Sequence, residues 1–285
     1  MATQSKAQYL TDVHTILKKR YKPKAESTSA RLTVLEAVVF GICHEDTTRE
    51  QANLALAHFK DDFFDWNEVR VSSLEEIQGA LVGLPNSDDR AYRIRRFLRQ
   101  LFEKTYGFTL EALAKKPLKE SVKVLQEYEV LTSDYVMATV VQISLGGHAI
   151  PVDESSRRAM ERLGVVDPGT DAASTRALLE RAVPKNRGVE FADLLEELAH
   201  DTCVEGIPDC PRCELRKTCP TALVRKGEPV PSKSAAAAAP LVTKPAKDET
   251  KTVKSTAAKS APSEPSPEAD ATSPKTAKGK PGRPK

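Results

Sequence analysis

The sequence predicts an all-α folded body followed by a long tail of low complexity. In ten segments before residue 226, apolar residues recur at positions i, i+3, i+4 and i+7, which is the spacing of one face of an amphipathic helix. Short breaks that contain Pro, Gly, Asp or Asn separate these segments. No alternation typical of a β-strand persists beyond a few residues. About ten helices over roughly 200 residues correspond to one or two domains.

The predicted helices contain, in chain order, the segments LTVLEAVVFGIC, EQANLALAHF, SLEEIQGALVGL, AYRIRRFLRQLFEKTY, TLEALAK, ESVKVLQEY, YVMATVVQISL, SSRRAMERLG, STRALLERAV and FADLLEELAHDTC. Four individual residues receive a structural interpretation. Cys43 ends an apolar run and is expected to be a buried thiol. Trp66, in FFDWNEV, is expected to belong to the core. His44 and His148 lie near loops, where a lone histidine is more often structural than catalytic.

Four of the five cysteines fall in the stretch CVEGIPDCPRCELRKTC, residues 203–219. The N-terminus, MATQSKAQYL, has neither the apolar core of a signal peptide nor an Arg-rich transit pattern. No apolar run approaches the ~18 residues of a membrane span. We therefore expect a cytoplasmic protein whose thiols stay reduced, which favours metal binding over disulfides.

The cysteine spacing is C-x6-C-x2-C-x5-C, with a single short knuckle. Structural zinc sites usually pair two such knuckles. Three unequal gaps in an irregular loop instead favour an iron–sulfur cluster held by four thiolates. Zinc remains the alternative.

The tail, residues 226–285, lacks aromatic residues and is dominated by Ala, Pro, Ser, Thr and Lys, so we predict that it is disordered. Eleven lysines and one arginine against six acidic residues give it a charge of +6. The whole chain has a net charge of +3, which leaves −3 for the first 225 residues. A nucleic-acid-binding body is usually basic. The tail therefore either binds DNA phosphates or serves only as a solubilising linker.

The chain ends in KGKPGRPK, which resembles an AT-hook. In such a segment an Arg-Pro pair lies in the narrow minor groove of A·T-rich DNA, where the negative potential is concentrated. Arg283 is the candidate residue for this contact. A simple bias toward Lys and Pro is the alternative interpretation.

The order of the segments between about Leu32 and Cys219 resembles the endonuclease III family of DNA glycosylases, which are helix-hairpin-helix proteins with an iron–sulfur loop. The four-cysteine spacing matches that loop without a gap. PVDESSRRAMERLG matches the family stretch VDxxxxRxxxRLG, whose Asp is catalytic. The chain is thus identified as a divergent member.

The resemblance implies a fold of two helical lobes with double-stranded DNA in the groove between them. One lobe would combine residues 1–30 with 149–225, and the other would span 31–148, with the hairpin at about 124–145. It also implies a 4Fe-4S cluster, held by the four cysteines, that shapes a DNA-binding loop. The expected ligands are Cys203, Cys210, Cys213 and Cys219, and the loop's expected DNA contacts are Arg212, Arg216 and Lys217. We expect a monomer, associated with the nucleoid if the source is a bacterium.

Asp153 is the candidate catalytic residue. Cleavage of an N-glycosidic bond builds positive charge on the sugar, and a neighbouring carboxylate stabilises that charge. Asp153 also directly precedes a predicted helix, so an N-cap without chemistry is the alternative.

Departures from the family pattern qualify this resemblance. Family members that also nick the backbone form a Schiff base through a Lys, and an overlay from Asp153 backward puts Tyr135 at that position. Tyr135 is the second candidate catalytic residue and would line the pocket, and its place at the lysine position predicts a monofunctional enzyme. The glycines of the family hairpin are absent, although Thr132 and Ser133 remain as candidate phosphate donors. In HEDTTREQA, acidic residues replace an amide pair that faces DNA in the family.

Two functions therefore stay open. The first is a DNA repair glycosylase that removes a damaged or mismatched base, with Asp153 and Tyr135 beside an open groove. The second is a catalytically inactive DNA-binding protein on a glycosylase scaffold, with Asp153 buried against its own helix and a histone-like tail that carries the binding.

Overall fold

A computed structural model of the protein describes residues 5–21 and 32–225. Within these ranges the chain is helical and contains no β-strand, which confirms the predicted all-α class. Predictions that concern the tail, Arg283 included, lie outside the described residues. None of the helices in the described ranges is long and apolar enough to cross a membrane.

Thirteen α-helices are present in the described ranges: α1 (Lys6–Tyr21), α2 (Val34–His44), α3 (Arg49–Asp62), α4 (Trp66–Val71), α5 (Leu74–Ala80), α6 (Ser87–Thr105), α7 (Glu111–Ala114), α8 (Leu118–Leu125), α9 (Asp134–Ile143), α10 (Glu154–Arg162), α11 (Ala172–Ala182), α12 (Gly188–Asp201) and α13 (Pro220–Val224). Three short 3-10 helices occupy Glu129–Thr132, Lys185–Arg187 and Cys210–Arg212.

The first hydrophobic cluster is built around α2, whose residues are almost all buried. Thr33 and Glu36 form a capping box at the start of this helix, which satisfies two backbone donors that would otherwise lack partners. Helices α3, α6 and α9 pack against α2. Cys43 lies in this cluster and is fully buried as predicted, and burial raises the pKa of its thiol to about 12.

The second hydrophobic cluster joins α1 to the C-terminal helices. Leu10 and Leu17 of α1 lie in it together with Phe191 of α12 and residues of α10 and α11. Cys219 and Ala222 extend the cluster to the end of the cysteine loop. The predicted lobes, 31–148 and 1–30 with 149–225, stay a prediction that these two clusters support.

Two short helices and α1 had no counterpart among the segments chosen by periodicity. Helix α4 begins at Trp66 with Asp65 as its N-cap, and Trp66 packs partly buried against the first cluster. Phe64, two residues earlier, is instead 94% exposed. Only part of FFDW therefore anchors the core, because the N-cap turn at Asp65 leaves Phe64 outside it.

Candidate active site and cysteine loop

Asp153 and Tyr135, the two predicted catalytic residues, line the same cavity, which has an empty volume of about 370 Å³. Tyr135 is in the first turn of α9, and Asp153 directly precedes α10. Other polar residues on the cavity wall come from α2, α3, α9, α10 and α12, and they are His44, Arg49, Thr139, Gln142, Ser156 and Glu196.

The carboxylate of Asp153 is the N-cap of α10. Its Oδ1 accepts a hydrogen bond from the backbone N–H of Ser156 at 2.8 Å, and the hydroxyl of Ser155 lies 3.0 Å and 2.9 Å from its two oxygens. The residue is only 7% exposed. Asp153 thus caps its own helix and also borders the cavity, so its position meets one condition of each proposed function.

Asp46 brings a second carboxylate to the start of α10. Its Oδ1 accepts a hydrogen bond from the backbone N–H of Glu154 at 3.0 Å. Although Asp46 is exposed as a residue, its carboxylate lies against the helix start, and this desolvation, together with the nearby charge of Asp153, raises its pKa. Asp46 also has a φ of 57°, a left-handed conformation that Asp tolerates better than most residues do.

Tyr135 is hydrogen-bonded to His44 inside the protein. Its hydroxyl lies 2.9 Å from Nδ1 of the His44 ring, and both residues are buried. Burial raises the pKa of Tyr135 well above its usual value, and the negative charges of Asp153 and Glu196 raise it further. The phenol therefore stays protonated at neutral pH.

His44 also faces Glu196 of α12. Nε2 of His44 lies 3.0 Å from Oε2 of Glu196, which is close enough for an ion pair. In this orientation of the ring, however, Nε2 has no hydrogen-bond partner. Burial alone would raise the pKa of Glu196, but His44 and Arg49 hold it below its usual value. The backbone N–H of Arg49 donates to Oε1 of Glu196 at 2.7 Å, and its guanidinium binds Asp193.

The hairpin between α8 and α9 is closed by contacts within the protein. Ser133 caps α9, and its hydroxyl donates to Oε1 of Glu45 at 2.9 Å. The hydroxyl of Thr132 donates to the backbone carbonyl of Glu129 at 2.7 Å. Both predicted phosphate donors thus have internal acceptors. Glu45 also binds Arg93 at 2.8 Å, so its charge is neutralised within the protein.

The four clustered cysteines line one cavity with an empty volume of about 350 Å³. All four are free thiols, and burial raises the pKa of three of them: Cys210, Cys213 and Cys219. In the part of the chain that the structure describes, no group of three or more His, Cys, Asp or Glu side chains has the arrangement of a metal-ion site. The cysteine side chains thus share a cavity without forming a preassembled site for one ion.

Arginines of α10 hold the beginning of the cysteine loop. The guanidinium of Arg162 donates to the carbonyls of Val204 at 2.6 Å and Gly206 at 2.9 Å, and it lies 3.7 Å from Sγ of Cys203. At the other end of the loop, the thiol of Cys219 donates to the carbonyl of Arg162 at 3.2 Å. Helix α10 is therefore both the helix that Asp153 caps and the helix that holds the cysteine loop.

The three predicted basic contacts of the loop are exposed. Arg212 forms ion pairs with Asp201 at 2.8 Å and Asp209 at 2.7 Å, which fix its direction. Arg216 donates to the carbonyl of Pro211 at 2.8 Å. These two guanidiniums retain further N–H donors, since each has five.

Sequence reasoning missed the polar wall of the cavity. His44 was interpreted as structural, and Arg49 and Glu196 were not considered, because the three come from different helices and form no linear motif. His148 is the other histidine with a structural interpretation. Its Nε2 lies 2.9 Å from the backbone carbonyl oxygen of Glu180.

The sequence matches no protein-family model and no curated protein. Solved structures with the same fold include an endonuclease III trapped as a covalent intermediate with DNA, with a TM-score of 0.63 and 17% identity over 79% of this chain and 100% of that one. A non-covalent endonuclease III–DNA complex has a TM-score of 0.63 and 16% identity, over 79% of this chain and 99% of that one. A thermostable thymine-DNA glycosylase has a TM-score of 0.54 and 16% identity, over 77% of this chain and 97% of that one. The chain therefore has the helical fold of endonuclease III and related DNA glycosylases.

Proposed function

We propose that the protein is a monofunctional DNA N-glycosylase, which removes a damaged or mismatched base from double-stranded DNA without cleaving the backbone. The observation that carries this proposal is the shared cavity of Asp153 and Tyr135. The fold supports it, because the similar structures include endonuclease III bound to DNA and a thymine-DNA glycosylase. A flipped nucleotide would enter the cavity.

Asp153 would stabilise the sugar as its bond to the base breaks. Positive charge develops at C1′, and a fixed carboxylate stabilises it without reorganisation. The hydrogen bonds from Ser155 and Ser156 hold the Asp153 carboxylate in one position. A water molecule then attacks C1′, because the phenol of Tyr135 has no amine nitrogen with which to form the Schiff base that a lysine forms.

We further propose that Cys203, Cys210, Cys213 and Cys219 hold a 4Fe-4S cluster. Soft thiolate ligands around one cavity suit such a group, and the nearby Arg162 guanidinium would offset part of its negative charge. When bound, the cluster would supply rigidity to the loop and no bond-breaking chemistry. Zinc on the same thiolates is the alternative, and the two differ in visible absorbance.

The DNA contacts are proposed on the basis of exposure and position. Arg212, Arg216 and Lys217 are exposed on the cysteine loop and would bind the phosphate backbone, and Arg283 would bind the minor groove. Ser133 and Thr132 would do so only after giving up their present acceptors. The protein would act as a monomer.

A base-release assay on full-length protein purified without oxygen tests this proposal. Duplexes would carry uracil, thymine opposite guanine, an oxidised pyrimidine or 3-methyladenine, and each reaction would be split with and without hot alkali. We expect breaks only after alkali, and none with Asp153→Asn. Breaks without alkali would exclude the monofunctional mechanism.

The inactive DNA-binding scaffold remains a second candidate because of the hairpin. Ser133 and Thr132 both donate within the protein, the glycines of the family hairpin are absent, and the acidic residues Glu127, Glu129 and Asp134 lie in this segment. This candidate predicts no base release from any duplex, together with DNA binding that disappears when residues 226–285 are deleted.

A further inference from the structure

We propose that His44 is a positioning residue that sets the direction of the Tyr135 hydroxyl, and that Tyr135 then donates a hydrogen bond to the departing base. This inference rests on the proposed glycosylase function. It concerns three side chains in a row: the Glu196 carboxylate, the His44 ring and the Tyr135 phenol.

The geometry of the three groups suits a relay. Nδ1 of His44 lies 2.9 Å from the Tyr135 hydroxyl oxygen, and Nε2 lies 3.0 Å from Oε2 of Glu196. The two ring nitrogens thus face opposite partners, one neutral and one acidic. All three side chains border the cavity that Asp153 also borders. Because Nε2 is buried and has no hydrogen-bond partner in its present orientation, a small rotation of the ring would satisfy it through Glu196.

The protonation state of His44 decides what the Tyr135 hydroxyl can do. In neutral His44 with its proton on Nε2, Nδ1 is an acceptor, so the Tyr135 hydroxyl must donate to it. In protonated His44, both ring nitrogens are donors, so Nδ1–H donates to the phenol oxygen. The hydroxyl hydrogen of Tyr135 is then released to point into the cavity. Glu196 stabilises this protonated state by its charge.

The proposed step balances as a hydrolysis. The C1′–N bond breaks, and its electron pair leaves with the base, where Tyr135 stabilises the developing negative charge by a hydrogen bond. Water adds its oxygen to C1′, and one proton of that water replaces the sugar on the base nitrogen. No oxidant, reductant or second substrate is needed.

Other charged groups lie around the His44 and Tyr135 side chains. They are Arg49 of α3, Asp193 and Glu196 of α12, Asp153 at the start of α10, and Glu45 directly after α2. The guanidinium of Arg49 is itself bound to Asp193, and the backbone N–H of Arg49 donates to Oε1 of Glu196.

A double-mutant cycle tests the relay. Single-turnover base release would be measured for wild type, His44→Gln, Tyr135→Phe and the double variant, on whichever duplex of the panel loses a base to the wild type. We expect each single variant to lower the rate about 100-fold, the scale of one lost donor to a developing anion. Because His44 acts only through Tyr135, the double variant should be no slower than Tyr135→Phe.

The pH profile provides a readout that a purely structural role would not move. Because the released hydroxyl hydrogen requires protonated His44, the wild-type rate should fall as pH rises, and this limb of the profile should be absent in His44→Gln. His148→Gln is the matched control, since His148 contacts Glu180 and not the cavity, and it should keep both the rate and the limb. Thermal melts of all variants would check folding.

Three results would overturn the inference. An unchanged rate in His44→Gln would remove its basis, and a further 100-fold loss in the double variant would show that His44 acts independently of Tyr135. In both cases the glycosylase proposal would stand, since the wild type releases base. A wild type that releases no base from any duplex would overturn the proposed function, and this inference with it.

Discussion

Oδ1 of Asp153 accepts a hydrogen bond from the backbone N–H of Ser156 at 2.8 Å, so the residue proposed for catalysis is also the N-cap of α10. A cap needs a side-chain oxygen but no charge, and Asn caps a helix about as well as Asp does. Stabilisation of a sugar cation, in contrast, needs the negative charge. The two roles of Asp153 can therefore be separated by substitution.

Asp153→Asn should preserve the free energy of unfolding and abolish base release. Asp153→Ala should abolish base release and also lower the free energy of unfolding. The alanine variant removes the cap, which costs about 1 kcal/mol of unfolding free energy. Urea denaturation followed by circular dichroism would measure the difference. Asp171→Ala is the matched control, because Asp171 caps α11 through the N–H of Ser174 at 2.7 Å and does not line the cavity. It should weaken its helix and leave base release unchanged.

Base release that survives in Asp153→Asn at the wild-type rate would contradict the catalytic role. Asp153 would then be a cap alone, and the scaffold hypothesis would gain.

The sequence was sufficient for the fold and for residues within linear motifs. Helical periodicity located ten of the helices, and the cysteine spacing and VDxxxxRxxxRLG located the cysteine loop and Asp153. Periodicity did not locate α4, whose sequence is WNEVRV. His44 escaped because its significance depends on Tyr135, 91 residues away along the chain. Ser133 was predicted to face DNA, yet it donates to Glu45, an interaction that only the packing of α9 beside α2 reveals.

Asp46→Asn should stabilise the protein at neutral pH by at most about 1 kcal/mol, the scale of a partly exposed charge interaction. Folding raises the pKa of Asp46, so the folded state binds its proton more tightly than the unfolded state does. Stability contributed by this residue is therefore present at acidic pH and is lost as pH rises through the folded pKa. Asparagine removes the unfavourable charge and tolerates the φ of 57°.

Urea denaturation of wild type and Asp46→Asn would measure this effect. The measurements would run from about pH 3 to about pH 8, a range that includes the titration of carboxyl groups. The stability difference should vanish at the acidic end. Asp171→Asn is a control of opposite sign, because hydrogen bonds from Ser174 lower the pKa of Asp171 and its charge stabilises the fold at neutral pH. A destabilised Asp46→Asn at neutral pH would show that the carboxylate contributes a net favourable interaction with the start of α10.

Replacing Cys213 with Ser should abolish a cluster-dependent visible absorbance. Cys213 lines the cavity with the other three thiols, and an iron–sulfur group loses one of its ligands in this variant. Absorbance spectra and iron and sulfide content of anaerobically purified protein would measure the loss. Cys43→Ala is the matched control, since Cys43 is buried in the first hydrophobic cluster away from the loop, and it should keep the colour. Colourless wild type that contains stoichiometric zinc would replace the cluster with the zinc alternative.

Deleting residues 226–285 should weaken DNA binding and make it less sensitive to salt. The deleted segment carries twelve basic and six acidic side chains, and the remaining 225 residues have a net charge of −3. Each phosphate that a basic side chain neutralises adds about 0.9 to the slope of log affinity against log salt for duplex DNA. Fluorescence anisotropy at several salt concentrations would give both slopes, and the full-length slope should be steeper by several units. Equal slopes for the full-length and deleted proteins would assign DNA binding to the folded body and leave the tail as a linker.

Arg283→Ala isolates the AT-hook-like end. This variant should weaken binding to an A·T-rich duplex more than to a G·C-rich one, because only the narrow A·T minor groove concentrates the potential that attracts Arg.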